Sequence, residues 1–163
     1  MPAARLRALS ALLALLWGLL IWELCTSTRV TGGLWFWWMP WAFNLAHAPL
    51  FGVFAALLGL VLRPPASGGG GWRGLLRAVP DPDTARGPFL LAAAAALVYG
   101  VALEWVQSGI PGRRASPLDV LLDAVGAFGV PWALCSGALF GRRFWPVFVA
   151  GAALAAWATW GAG

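Results

Sequence analysis

Apolar residues run along this chain in blocks, broken by short clusters of arginine, proline and glycine. Each block approaches the roughly 20 residues a helix needs to cross about 30 Å of hydrocarbon. The first spans about Leu6 to Cys25, behind Arg5 and Arg7, and the second about Trp41 to Leu62. The third spans about Pro88 to Gln107, the fourth about Leu118 to Phe140 and the fifth about Phe144 to Ala162. The pattern predicts an all-α, polytopic transmembrane helical bundle of five helices, a single integral-membrane domain over residues 1–163. Pro88 suits a first helical turn, whereas Pro131 lies inside the fourth helix and should kink it. Arg63-Pro64-Pro65, the glycines Gly68 to Gly71 and the stretch beyond them read as a flexible linker over residues 63–87. A tight loop from Ser108 to Pro117 reverses the chain between the third and fourth helices.

Composition turns this pattern into a statement about solvent. The chain has 163 residues, 61% hydrophobic and 10% charged, with a mean hydropathy of +0.78. A soluble domain is about half apolar and about a quarter charged. So small a chain cannot bury this excess in a core of its own, and lipid is the expected solvent and partner. The 12 tryptophans gather toward the ends of apolar blocks, as at Trp35, Trp37, Trp38 and Trp41, and read as an aromatic belt at the headgroups. All 11 basic residues are arginine, and with abundant Ala and Gly this reads as the coding bias of a GC-rich bacterial genome. The expected location is a bacterial plasma membrane, crossed several times.

Charge then sets orientation, because cytoplasmic loops collect arginine and lysine. With the N-terminus inside, Arg5, Arg7, Arg63, Arg73, Arg77, Arg86, Arg142 and Arg143 are cytoplasmic, and only Arg29, Arg113 and Arg114 are external. The C-terminus is then outside. The net charge of +5 does not point to nucleic acid, since no basic face stands apart from the membrane segments. Cys25 and Cys135 fall near opposite faces and read as apolar packing residues rather than a disulfide. Leu24 precedes Cys25 where a lipobox has a small residue, and no small-residue cleavage site follows the first block.

In this topology Glu23, Glu104, Asp119 and Asp123 lie at the outer ends of helices, and the one histidine, His47, lies about 9 Å below the outer end of the second. Glu104, Gln107 and Ser108 share one helical face, as do Asp119 and Asp123. Ionisable residues in lipid turn toward one another, toward a polar cavity or toward the bundle interior, so an outward-opening pocket is expected. The simpler alternative is that Arg113 or Arg114 pairs with a nearby carboxylate and fastens a helical hairpin. Asp81 and Asp83 read as solvated linker residues. Gly137 with Gly141, and Gly151 with Ala155, space small residues for packing the fourth helix on the fifth. The glycine run lacks the Lys-Ser/Thr of a phosphate loop, and no nucleophile elbow, Cys-x-x-Cys or His-Glu-x-x-His occurs. No cofactor is expected. His47, Asp119 and Asp123 could ligate a divalent metal only without the support of a local ligand motif.

Glu104-x-x-Gln107, the loop with Arg113 and Arg114, and Asp119-x-x-x-Asp123-x-x-Gly126 together resemble the hallmark of VanZ-like membrane proteins. In that family the pattern is E-x-x-Q, a short loop with an arginine, then D-x-x-x-N-x-x-G. A second family landmark, D-K-x-x-H, falls on Phe43-Asn44-Leu45-Ala46-His47, where only the histidine is kept. Asp123 stands where an asparagine is usual. The resemblance covers about Trp41 to Gly129 and implies a cell-envelope context, with glycopeptide and particularly teicoplanin resistance, but no reaction. The leading expectation is an outer-leaflet pocket of His47, Glu104, Gln107, Arg113, Arg114, Asp119 and Asp123. It would bind a lipid-linked cell-wall precursor or a phospholipid headgroup, the arginines holding phosphate and the acids accepting donors. An intramembrane enzyme using His47 or a carboxylate as base is the second reading, and a small transporter the third.

Overall fold

The computed structural model describes residues 3–27, 39–62, 82–111, 115–135 and 150–151. Among them are four long helices and no strand: α1 (Ala3–Thr26), α2 (Met39–Leu62), α3 (Pro82–Ser108) and α4 (Pro117–Cys135). Each contains a stretch long and apolar enough to cross a membrane. Of the expected fifth helix only residues 150 and 151 are described; they are helical, and Gly151 lies against Val125 of α4. Gly137, Gly141, Ala155 and residues 136–140 of the expected fourth helix lie outside the described residues.

One boundary differs from the sequence expectation. α3 starts at Pro82 rather than Pro88, so residues 82–87 are helix and not linker, and Pro88 is interior. Pro82-Asp83 supplies the proline and the acid that a first turn favours. Pro88, six residues into the helix, gives up its own N–H bond and crowds the carbonyl four residues before it, so α3 should bend early in its length.

Small residues fill much of the interior, beside Ile21, Phe51, Phe89, Leu103 and Leu122, while many large apolar ones face outward. The buried positions include Ala14, Ala48, Ala55, Ala92, Ala93, Ala96, Ala127 and Ala133, whereas Leu15, Leu19, Leu91, Val98, Trp105 and Trp132 are exposed. Such a surface would aggregate in water. In lipid, burying Leu gains little over leaving it among acyl chains, so small residues that let backbones approach take the interior. The sorting and the four apolar spans identify a multi-pass membrane protein.

α2 is the hub, touching α1, α3 and α4. Its tightest contact is with α4, where a Cβ on Gly126 would overlap the Ala48 carbonyl, and a Cβ on Gly52 would overlap Val130. Toward the other end of α2, the Phe89 ring of α3 lies where a Gly59 side chain would be. α1 is attached differently. The Trp17 indole Nε1 donates to the Leu50 carbonyl (2.9 Å) and the Tyr99 hydroxyl donates to the Gly18 carbonyl (2.8 Å), one bond to α2 and one to α3. Cys25 and Cys135 are both thiols, Cys25 buried.

The contact at Gly126 can be tested against a neighbour. Gly126→Ala should force α2 and α4 apart and cost about 1–3 kcal/mol, the usual range for overpacking. Gly129→Ala meets nothing within 4 Å and gains the same helix propensity, so its stability should be unchanged or slightly raised. Thermal unfolding of both variants in detergent reads the difference. Equal melting temperatures would mean that the close approach is not needed.

Candidate functional site

Three helices bring polar and ionisable groups to one end of the bundle. α2 contributes His47, α4 contributes Asp119 and Asp123, and α3 contributes Glu104 and Gln107. Depth alone permits this meeting, but the α2–α4 contact sets it, since His47 adjoins Ala48 and Asp123 lies one turn before Gly126. The result is a bond between His47 Nδ1 and Asp123 Oδ1 of 2.8 Å. The Asp123 side chain is 1% exposed and that of His47 13%. The imidazole lies nearly parallel to the Phe51 ring one turn along α2, with the planes at 8° and the centroids 6.2 Å apart. Phe51 in turn packs against Tyr99 of α3, so the ring that carries the polar pair is backed by aromatic carbon.

Asp123 depends on a residue with no side chain. The position a Cβ would take on Gly100 is 2.5 Å from Asp123 Oδ2 and 3.1 Å from the Phe51 ring. Gly100 is one turn before Glu104 on the same face of α3, so the carboxyl of Asp123 sits in the gap beneath Glu104.

The α3–α4 turn contains a second arrangement. Ser116-Pro117-Leu118-Asp119 has the form of a capping box, with Ser116 as N-cap, Pro117 at the first position and an acid at the third. The Ser116 half is made: its hydroxyl accepts from the Asp119 N–H at 3.4 Å, and its carbonyl accepts from the same N–H at 3.0 Å. In an ordinary box the acid would reach back to the Ser116 N–H. Here that N–H donates instead to Glu104 Oε2 at 2.7 Å, across the turn. Asp119 is displaced from its local partner, and its Oδ1 is buried and accepts no hydrogen bond. Asp123 Oδ2 shares that condition.

Of the seven residues expected to form the pocket, His47 and Asp123 are in contact, and Glu104 and Asp119 are close enough to interact electrostatically with both. Gln107 is buried one turn beyond Glu104 on α3. Arg113 and Arg114 lie outside the described residues. Glu23 is exposed on α1. Three further residues shape the site: Gly100, Ser116 and Phe51. Gly100 was readable from its i, i+4 spacing to Glu104, and Ser116 from the capping pattern, whereas nothing local marks Phe51. Among the described residues, no three His, Cys, Asp or Glu side chains are placed to hold a metal ion.

Competition for the Ser116 N–H makes the effects of Glu104 and Asp119 interdependent. Asp119→Ala alone should be nearly neutral or mildly stabilising, since it removes a buried acceptor that has no donor. In a Glu104→Ala background Asp119 can take the vacated N–H, and the same change should destabilise. A double-mutant cycle read by thermal unfolding should give a coupling of about 0.5–3 kcal/mol. Additivity within the measurement error would mean that the two acids do not compete.

Compared with protein-family models, with curated proteins and with solved structures, the chain matches none.

Proposed function

We propose that the chain is a VanZ-like cell-envelope protein of the bacterial plasma membrane, with five transmembrane helices, its N-terminus inside and its C-terminus outside. Its outer-leaflet pocket binds the polar headgroup of an envelope amphiphile, a phospholipid or a lipid-linked cell-wall precursor. The observation that carries this reading is Asp123, almost wholly buried, bonded to His47 and left with one oxygen that no described residue donates to. A carboxylate inside an apolar bundle is costly, and a structural ion pair alone would favour satisfying both oxygens. Depth supports the headgroup assignment. Glu104 is four residues from the end of α3 and Asp119 two from the start of α4, about 6 Å and 3 Å along the helices. Trp105 beside them is 81% exposed, as suits an interfacial indole. Arg113 and Arg114, between these helix ends in sequence, would hold phosphate oxygens.

A second reading has one observation in its favour. With Nδ1 engaged by Asp123, Nε2 is the ring nitrogen of His47 left for a substrate, and a histidine oriented by a carboxylate is a competent general base. His47→Gln would then abolish turnover while leaving headgroup binding measurable.

Two measurements test the leading reading. In a background without Cys25 and Cys135, an impermeant maleimide applied from outside should label Gly109→Cys and leave Gly70→Cys unlabelled. The opposite pattern would place the acidic cluster on the cytoplasmic side. Separately, Arg113→Lys or Arg114→Lys should weaken the envelope phenotype, read as glycopeptide susceptibility, with folded protein at normal levels, because lysine lacks the bidentate fork. Full retention in both lysine variants, with loss of protein in the alanine variants, would make the arginines structural.

A further inference from the structure

We propose that the acidic cluster at the α3–α4 turn receives a primary ammonium group carried by a membrane lipid, ethanolamine being the simplest such headgroup. The inference rests on the reading of the cluster as a ligand pocket and names the chemistry of what the pocket takes.

The reason is an imbalance between acceptors and donors. Glu104, Asp119 and Asp123 present three carboxyl groups, and their local donors are already committed: the Ser116 N–H to Glu104 Oε2 and His47 Nδ1 to Asp123 Oδ1. What is left is one buried oxygen on Asp119 and one on Asp123, a single turn apart on α4, neither with a donor among the described residues. Asp123 is 1% exposed, so bulk water does not reach it. Protonating one acid supplies a single O–H and no positive charge. No donor to either oxygen is found among the described residues, and a ligand that brings donors would supply it.

Charge narrows the class. The carboxyl groups and His47 interact electrostatically with one another across three helices, and a cationic donor eases that crowding where a neutral hydroxyl would not. A primary ammonium offers three N–H donors on one compact centre, enough for both open oxygens. A quaternary ammonium carries the same charge and no donor, so the pocket should discriminate between headgroups alike in charge and phosphate. A divalent metal is disfavoured by the lack of three converging ligand side chains among the described residues. The ligand is lipid-borne because the open oxygens lie within a turn or two of the helix ends, at headgroup depth, in a wall whose outer surface is apolar.

The test uses the full chain purified in detergent, with thermal unfolding followed by tryptophan fluorescence. Phosphatidylethanolamine, phosphatidylcholine and phosphatidylglycerol of identical acyl chains are added in turn, and free phosphoethanolamine separately. Phosphatidylethanolamine should raise the melting temperature by about 5 °C or more at a hundredfold excess over Kd. Phosphatidylcholine and phosphatidylglycerol should not, and Asp119→Asn should lose at least half of the shift relative to its own lipid-free value. Equal shifts from the ethanolamine and choline lipids in the wild-type chain overturn the ammonium inference without recourse to any variant. A shift from phosphatidylglycerol alone overturns it too, yet leaves the pocket standing for an anionic headgroup. Phosphoethanolamine matching the lipid at equal concentration overturns the lipid-borne half in favour of a soluble amine. If no headgroup shifts the melting temperature, the pocket reading falls with it.

Discussion

The approach of α4 to α2 at Gly126 and the Ala48 carbonyl fixes the rest of the bundle. Two helices this close share a boundary of backbone, and their registers cannot slide without a clash. The neighbours of these residues are therefore placed as well: His47 immediately before Ala48, and Asp123 one turn before Gly126. A 2.8 Å bond between side chains 76 residues apart is a by-product of a contact between two residues with almost no side chain. Polar attraction contributes energy, but steric closeness sets its geometry.

The same logic separates the two kinds of helix contact. α2 and α4 meet through Gly126 and Ala48, whose backbones come together, while Phe51 and Phe89 fill space between α2 and α3. α1 turns most of its leucines outward but buries Ile21 in the common core, and two hydrogen bonds also tie it to its neighbours, one donated by Trp17 and one received from Tyr99. In hydrocarbon a donor without an acceptor is costly, so Trp17 and Tyr99 hold α1 by a demand for satisfaction that adds to the packing of Ile21. Phe51 and Phe54 flank Tyr99 and link this attachment to the aromatic floor under His47.

Much of this could be read from the chain before its folding was considered. Block length gave four of the five expected spans, because hydropathy and helix length are local properties. Glu104 with Gln107, and Asp119 with Asp123, were placed on common faces by helical spacing alone. The partner of His47 was not legible: Glu104, Asp119 and Asp123 lie at similar depths, and only the register imposed by Gly126 selects Asp123. Nor was the fate of the capping box, since Ser116-x-x-Asp119 predicts a local bond that a residue from another helix pre-empts. The early start of α3 was hidden because hydropathy marks where lipid begins, not where helix begins. Arg113, Arg114 and most of the fifth apolar block lie outside the described residues.

The long sequence separation of His47 and Asp123 also has a consequence for biogenesis. α2 is synthesised first, and with a hydropathy of 2.1 over its span it can enter the bilayer with one imidazole and no partner. α4 is the least apolar of the four spans, at 1.6, and carries two carboxyl groups near its start, which count against insertion even there. By the time it leaves the ribosome the histidine that will take one of them is already in place. The order of these two helices along the chain thus matches the order in which their polar groups can be accommodated, with the tolerant α2 laid down before the needy α4.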